Sequence, residues 1–273
     1  MNNFLKRALT GGFFGILVFG SLFAGSIYFL LFYNILMAVS LLEFYKMTGR
    51  KVNPVQKWFA VLASVLIFVI LFGYLSGILS INWLPAIAVF PVVIMIVQLY
   101  GKRGESFKGL AWTFFGMIYV SLPLIMLNFL VFPGNIPYSG YYPDILAGVF
   151  ILIMINDTAA YLVGVPFGRH RLFKSVSPKK SWEGFAGGAV FVIAASLVMH
   201  RIFPVPDVTG WFLIGLIVAV FGVYGDLVES MFKRSLDIKD SGSILPGHGG
   251  VLDRIDAWLF VIPLVWILMN FIH

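Results

Sequence analysis

The chain has 273 residues, 60% hydrophobic and only 11% charged, with a mean hydropathy of +0.96. Soluble domains carry about 25% charged residues, so a water-soluble enzyme with a large core is excluded and an all-α, polytopic integral membrane protein is expected. The absence of cysteine removes disulfides and thiolate metal sites, and the formal net charge of +7 falls in short loops between apolar runs, which fits a positive-inside bias and not nucleic-acid binding.

Residues 9–44 form one apolar block, too long for a single span of about 20 residues. A fold-back near Gly25–Ser26 divides it into two helices, the first expected to be retained in the membrane and not cleaved as a signal peptide. Glu43 falls at the far end of the block, where a carboxylate at the interface is expected to reach water. A basic loop follows, with Lys46, Arg50, Lys51 and Lys57. A third helix is expected over roughly 58–78 and a fourth over roughly 82–100, with the basic loop 101–109 after it. The fifth, roughly 110–131, contains Pro123 as a candidate kink. The turn-rich loop 132–145 has no Lys or Arg, and its Tyr138, Tyr141 and Tyr142 are candidate interfacial anchors.

The sixth helix, roughly 146–166, carries Asn156 and Asp157 inside an apolar run. After the basic loop 167–184 come helix seven (roughly 185–203), a short turn, helix eight (roughly 210–226) and, beyond a polar stretch, helix nine (roughly 255–272). If nine helices alternate from a cytoplasmic N-terminus, every one of the 19 Lys and Arg residues except Arg201 lies inside. That count places loops 167–184 and 226–256 on the same, cytoplasmic face. Two regions are distinguished: N-terminal transmembrane helices within 1–140 and a C-terminal transmembrane region within 141–273, whose polar loops are candidates for chemistry.

The stretch 226–256 concentrates chemistry. It holds six of the twelve acidic residues and four basic ones, and charge in a membrane protein is costly enough to be kept mainly for function. On a continuing helix eight, Asp226, Ser230 and Lys233 share a face at i, i+4 and i+7. A carboxylate there suits a hard divalent cation, while Lys233 and Arg234 suit phosphate oxygens; an interfacial helix end with internal salt bridges would look the same in isolation. Gly247, Gly249 and Gly250 directly precede helix nine, whose N-terminal N–H groups favour phosphate. Asp253 and Asp256 share a face in its first turn. A helix cap accounts for one of them but not for both with Arg254 between. His248 is equally suited to phosphate contact and to a local hydrogen bond; His170, His200 and His273 have no ligand spacing and read as surface or interface residues. Asp157 within a membrane segment requires a polar cavity or a partner, and Lys179 and Lys180 are suited to steering a polyphosphate, though paired lysines are also ordinary topology signals.

The residues Ser230-x-Phe232-Lys233-Arg234, Lys239-Asp240, Gly242, Leu245-Pro246, His248-Gly249-Gly250 and Asp253-Arg254-Ile255-Asp256 resemble the signature of the phosphatidate cytidylyltransferase (CDP-diacylglycerol synthase) family. Upstream, Asn156-Asp157-Thr158, Phe167-Gly168 and Ser177-Pro178-Lys179-Lys180 are similar to a second block of that family, with Ser181 where threonine is expected. The resemblance covers roughly the C-terminal half; the first 140 residues agree only in character.

The resemblance implies an enzyme of phospholipid biosynthesis that joins CTP and phosphatidic acid into CDP-diacylglycerol and pyrophosphate. It implies Mg²⁺ held by Asp226 and Asp253 with Asp256 in support, and phosphates held by Lys233, Arg234, Lys239 and Arg254. Asn156, Asp157, Lys179, Lys180, Ser230, His248, Gly249 and Gly250 would line the substrate site. It further implies a second, monovalent cation such as K⁺ and a homodimer. The expected location is the bacterial inner (plasma) membrane, with the active site facing the cytoplasm. A CTP-dependent polyprenol-type lipid kinase is the nearest alternative, and the His-Gly-Gly-x-x-Asp-Arg-x-Asp run favours the cytidylyltransferase. CDP-alcohol phosphotransferases would need an Asp-x-x-Asp-Gly-x-x-Ala-Arg motif that the sequence lacks. An ion-coupled transporter would be expected to show inverted repeats, and none is seen.

Overall fold

The structure, a computed structural model, describes residues 3–49, 52–99, 107–134, 140–242, 244 and 249–271. Helix α1 (Asn3–Phe23) and helix α2 (Ser26–Met47) are separated at Gly25, whose φ of 124° is open to glycine and costly for any side chain, so the break falls where the sequence placed it. Helix α3 (Pro54–Leu75) starts with Asn53 accepting the Val55 N–H at 2.8 Å and Pro54 at the first helical position, a pairing that satisfies one orphan donor and removes another. The expected fourth helix begins as a 3₁₀ segment, Ile81–Ala88, containing Pro85, and becomes α-helical only in α4 (Val89–Leu99).

The fifth segment is not one regular helix. It runs as α5 (Phe107–Gly116), a π-helical turn (Met117–Ser121), α6 (Leu122–Ile125) and α7 (Leu127–Val131). Pro123 supplies no N–H to the ladder, and the wide turn lies immediately before it, as expected where a proline interrupts i→i−4 bonding. Then follow α8 (Asp144–Phe167), strands β1 (Arg171–Phe173) and β2 (Ser177–Ser181), α9 (Trp182–Ile202), α10 (Val208–Ser235) and α11 (Leu252–Phe271). Helix α10 continues nine residues past the expected end at 226, which carries its charged face onward as regular helix.

Among the described residues, seven helices are long and apolar enough to cross a membrane: α2, α3, Ile81–Leu99, Phe107–Val131, α8, α9 and α10. The chain is therefore an all-α polytopic membrane protein; α1 and α11 are helices as expected but are not among those seven.

The chain divides into two compact units. One comprises Met1–Gly134, Ser139–Tyr141 and Asp240–Arg254. In it α2 packs on α1 and α3, with Phe29, Tyr33 and Phe68 fully buried. Tyr141 belongs to this packing and is no free interfacial anchor: its hydroxyl donates to the Leu22 carbonyl at 2.6 Å, its ring meets Phe29 and Phe132, and burial pushes its hydroxyl pKa up. Tyr138 lies outside the described residues.

The other unit comprises Asn135–Tyr138, Tyr142–Lys239 and Ile255–His273. Here α8, α9 and α10 pack against one another. Trp211 is fully buried against Gly148 and donates its indole N–H to the Phe203 carbonyl at 2.9 Å, which satisfies the one polar atom of a large apolar side chain. Phe150 stacks on Trp258 with ring centroids 4.0 Å apart.

Candidate active site

In the second unit the site is built from the end of α10, the β1–β2 hairpin and the start of the Ile255–His273 segment. One helical turn separates Asp226 from Ser230, so both fall on one face, and the Ser230 hydroxyl donates to Asp226 Oδ1 at 3.1 Å. The other carboxylate oxygen is met by Lys180, with Nζ 2.6 Å from Oδ2. Lys180 also reaches the Val223 carbonyl at 3.5 Å. Lys180 arrives there because the basic loop 167–184 is not irregular: β1 and β2 pair antiparallel, Arg171 opposite Ser181 and Phe173 opposite Ser177. Neighbouring residues of a strand face opposite ways, so Lys180 turns to Asp226 while Lys179 is exposed.

The hairpin is fastened at its base. The Ser181 hydroxyl caps α9 by accepting the Gly184 N–H at 3.2 Å. Glu183 accepts the backbone N–H groups of Arg169 and His170 at 3.1–3.2 Å and sits 2.6 Å from His170 Nδ1. His170 is a surface residue, as read from the sequence, but it has a specific partner.

Asp256 lies within electrostatic range of Asp226, Asp157 and Lys180, and its carboxylate accepts the Ala257 N–H at 2.7 Å. Gly225 makes this approach possible, because a Cβ there would stand 2.5 Å from the Asp256 carbonyl oxygen and 2.9 Å from Ala257 Cα. Of the pair in α8, Asp157 is exposed whereas Asn156 is buried, 1% accessible, with neither amide atom hydrogen-bonded among the described residues. The Lys233 ammonium, three residues beyond Ser230 on α10, pairs with the buried Glu229 carboxylate at 3.2 Å. Arg234 donates to the Ile238 carbonyl at 3.3 Å, and Lys239 is exposed.

In the first unit, Asp253 closes a polar loop. Its carboxylate accepts the Ser241 N–H at 3.1 Å and the Gly250 N–H at 2.8 Å, the second bond reaching back three residues as the acidic member of a capping box does. Gly249 has φ 82°, a conformation that favours glycine. Arg254 is exposed. His248 and Gly247 lie outside the described residues.

Glu43 corrects the sequence reading. It does not reach water: it is 3% accessible, and its Oε2 accepts the Leu252 N–H at 2.9 Å and the Ser241 hydroxyl at 3.5 Å. These partners lie about 200 positions away in the chain, so the one signal in the sequence was a lone carboxylate ending an apolar block.

The donors suit a hard cation. Asp226 and Asp256 offer carboxylate oxygens only, the ligand type of Mg²⁺. Among the described residues, no three His, Asp or Glu side chains converge as a closed cage. Mg²⁺ needs none, since it is commonly held by one or two carboxylates together with substrate phosphates and water.

Residues 5–272 match the family model described as "Cytidylyltransferase family". The chain is 33% identical over 265 residues to the phosphatidate cytidylyltransferase of Staphylococcus aureus (strain COL), covering 96% of this chain and 98% of that one. It is 32% identical over 270 residues to the phosphatidate cytidylyltransferase of Staphylococcus saprophyticus, with the same coverage. The phosphatidate cytidylyltransferase of Staphylococcus haemolyticus is 33% identical over 250 residues, 91% of this chain and 92% of that one. The family model and these relatives match nearly the whole length: the chain belongs to the cytidylyltransferase family.

Proposed function

We infer that the chain is a nucleotidyltransferase that converts CTP and phosphatidic acid into CDP-diacylglycerol and pyrophosphate. A phosphate oxygen of the lipid attacks the α-phosphorus of CTP, the bond from that phosphorus to the α,β-bridging oxygen breaks, and pyrophosphate departs with the electron pair. The nucleophile is already an anion, so no strong general base is required. The barrier is mainly repulsion among phosphates and charge gathering on the leaving group, and positioning with electrostatic stabilisation lowers it.

The single observation that carries the site assignment is the Lys180–Asp226–Ser230 arrangement with Asp256 in electrostatic range. One cation and two carboxylates together suit a site that handles nucleotide and lipid phosphates with a divalent ion. Asp226 and Asp256 are the proposed Mg²⁺ holders, and Asp253 is proposed to shape the glycine-rich loop through the Ser241 and Gly250 N–H groups, a loop suited to phosphate. When bound, Mg²⁺ would supply charge neutralisation between nucleotide and lipid phosphates. Lys180 is free to turn from Asp226 to a phosphate once the carboxylate has another counter-ion. Arg254, Lys239 and Lys179, all exposed, are suited to guide anionic substrate inward. Asn156 offers an unspent buried amide beside Asp157.

The distribution of Lys and Arg supports a site facing the cytoplasm, and the bacterial relatives support the plasma membrane of a bacterium as its location. The reading is tested by incubating purified protein with labelled CTP, phosphatidic acid and Mg²⁺ and identifying the labelled lipid; a CDP-lipid is expected, and a lipid bearing only the γ-phosphate would favour the kinase.

A further inference from the structure

We propose that Glu43, near the end of α2, is a positioning residue for the reaction: it holds the two described ends of the glycine-rich loop, at Ser241 and at Gly249–Leu252, in their working places. The inference rests on the functional reading of that loop above.

The loop is closed at its base by two carboxylates that work on the same two strips of backbone. Asp253 takes the Ser241 and Gly250 N–H groups, and Glu43 takes the Leu252 N–H and the Ser241 hydroxyl. Ser241 is thereby held by both, through its amide and its hydroxyl. The fit is close on each side. A Cβ on Gly250 would collide with the Ser241 hydroxyl and stand 2.6 Å from Glu43 Oε2, and a Cβ on Gly242 would collide with Glu43 Oε1. Both glycines thus leave room for the Glu43 carboxylate.

Burying a carboxylate is costly unless it is paired or hydrogen-bonded. Here the compensation comes from the backbone at the start of α11, where free N–H groups and the positive end of the helix dipole favour an anion. Glu43 spends this cost on the loop alone: Oε2 carries both bonds, while Oε1 has no hydrogen-bond partner among the described residues. The carboxylate therefore sets where Gly249, Gly250, Asp253 and Arg254 are presented without touching substrate itself.

The test uses full-length protein in mixed micelles and compares Glu43→Ala with Glu43→Gln. The wild-type protein must first form CDP-lipid; its failure to do so would remove the functional reading and with it the basis of this one. Given wild-type activity, Glu43→Ala is expected to raise KM for CTP and lower kcat, with kcat/KM down roughly 100-fold, the scale of loss from a misplacement of about 1 Å. Amide exchange should accelerate in residues 240–252 and not in α8–α10. Glu43→Gln keeps an oxygen for Leu252 and Ser241 and should restore most of kcat/KM and the exchange protection. If Glu43→Ala does not accumulate folded, Gly242→Ala carries the test, because its Cβ meets the same carboxylate from the loop side, and the same KM rise is expected. Activity that falls only in step with the folded fraction, at unchanged KM, would overturn the proposal. So would a Glu43→Gln variant as impaired as Glu43→Ala.

Discussion

The Lys180 ammonium stands 2.6 Å from Asp226 Oδ2, although 46 positions separate the two residues and one belongs to a hairpin and the other to a helix. Both side chains are partly exposed, 27% and 40%, and partly exposed ion pairs contribute only about 0–1 kcal/mol to stability. Such a pair is better suited to exchange than to holding a fold together. Lys180→Ala and Asp226→Asn are therefore expected to shift Tm by no more than a few degrees while each lowers kcat/KM for CTP by roughly 100-fold or more. Thermal unfolding and CTP turnover on the same preparations check this, and a large Tm loss with retained specific activity would contradict it.

Ser230 orients the other oxygen of the same carboxylate. Ser230→Ala removes one charge-assisted hydrogen bond, worth about 1.5–3 kcal/mol, and should lower kcat/KM by about 10- to 100-fold and raise the Mg²⁺ concentration needed for half-maximal activity. Ser230→Thr, which keeps the hydroxyl, should recover most of both. Titrating Mg²⁺ at fixed CTP distinguishes the three proteins.

Two glycines one turn apart in α10 make opposite predictions. A Cβ on Gly225 would meet backbone atoms of Asp256 and Ala257 at 2.5–3.1 Å, whereas a Cβ on Gly222 would meet only the Asn156 side-chain nitrogen at 3.5 Å. Gly225→Ala should destabilise by about 1–3 kcal/mol, the usual cost of overpacking, and should abolish most activity by moving Asp256 away from Asp226. Gly222→Ala should be close to neutral in both. Denaturation midpoints and turnover measured side by side decide it.

Asn156 offers a trade between stability and activity. An amide buried without partners costs about 1–3 kcal/mol, so an apolar residue of similar size, as in Asn156→Leu, should leave Tm unchanged or higher. If the amide is spent on substrate, the same substitution should reduce kcat/KM by at least about tenfold. Loss of stability with full activity would reverse the assignment.

The helices are legible because most apolar runs are long enough to cross a bilayer and are punctuated by Gly, Pro or charge; the Gly25 break and the Pro123 disturbance are both visible in that way. The glycine-rich turn and its aspartates were legible from their types and spacing. What escaped depended on distant partners. The hairpin at 171–181 has strands of three and five residues rich in Lys, Arg and Ser, too short and too polar to alternate recognisably. Lys233 pairs with Glu229 one turn back, a contact that its spacing from Asp226 does not reveal. Glu43 was placed at the water interface because nothing near it in sequence shows that the Leu252 amide waits for it.

The central claim is that the whole CMP moiety, and not a single phosphate, is passed to the lipid. CTP radiolabelled at the α-phosphate and CTP radiolabelled at the γ-phosphate, each with phosphatidic acid and Mg²⁺ and purified protein, test it most directly. The α-label is expected in a CDP-lipid and the γ-label in pyrophosphate, with both transfers lost in Asp226→Asn. A γ-label recovered in lipid, with the α-label left in CDP, would contradict the account.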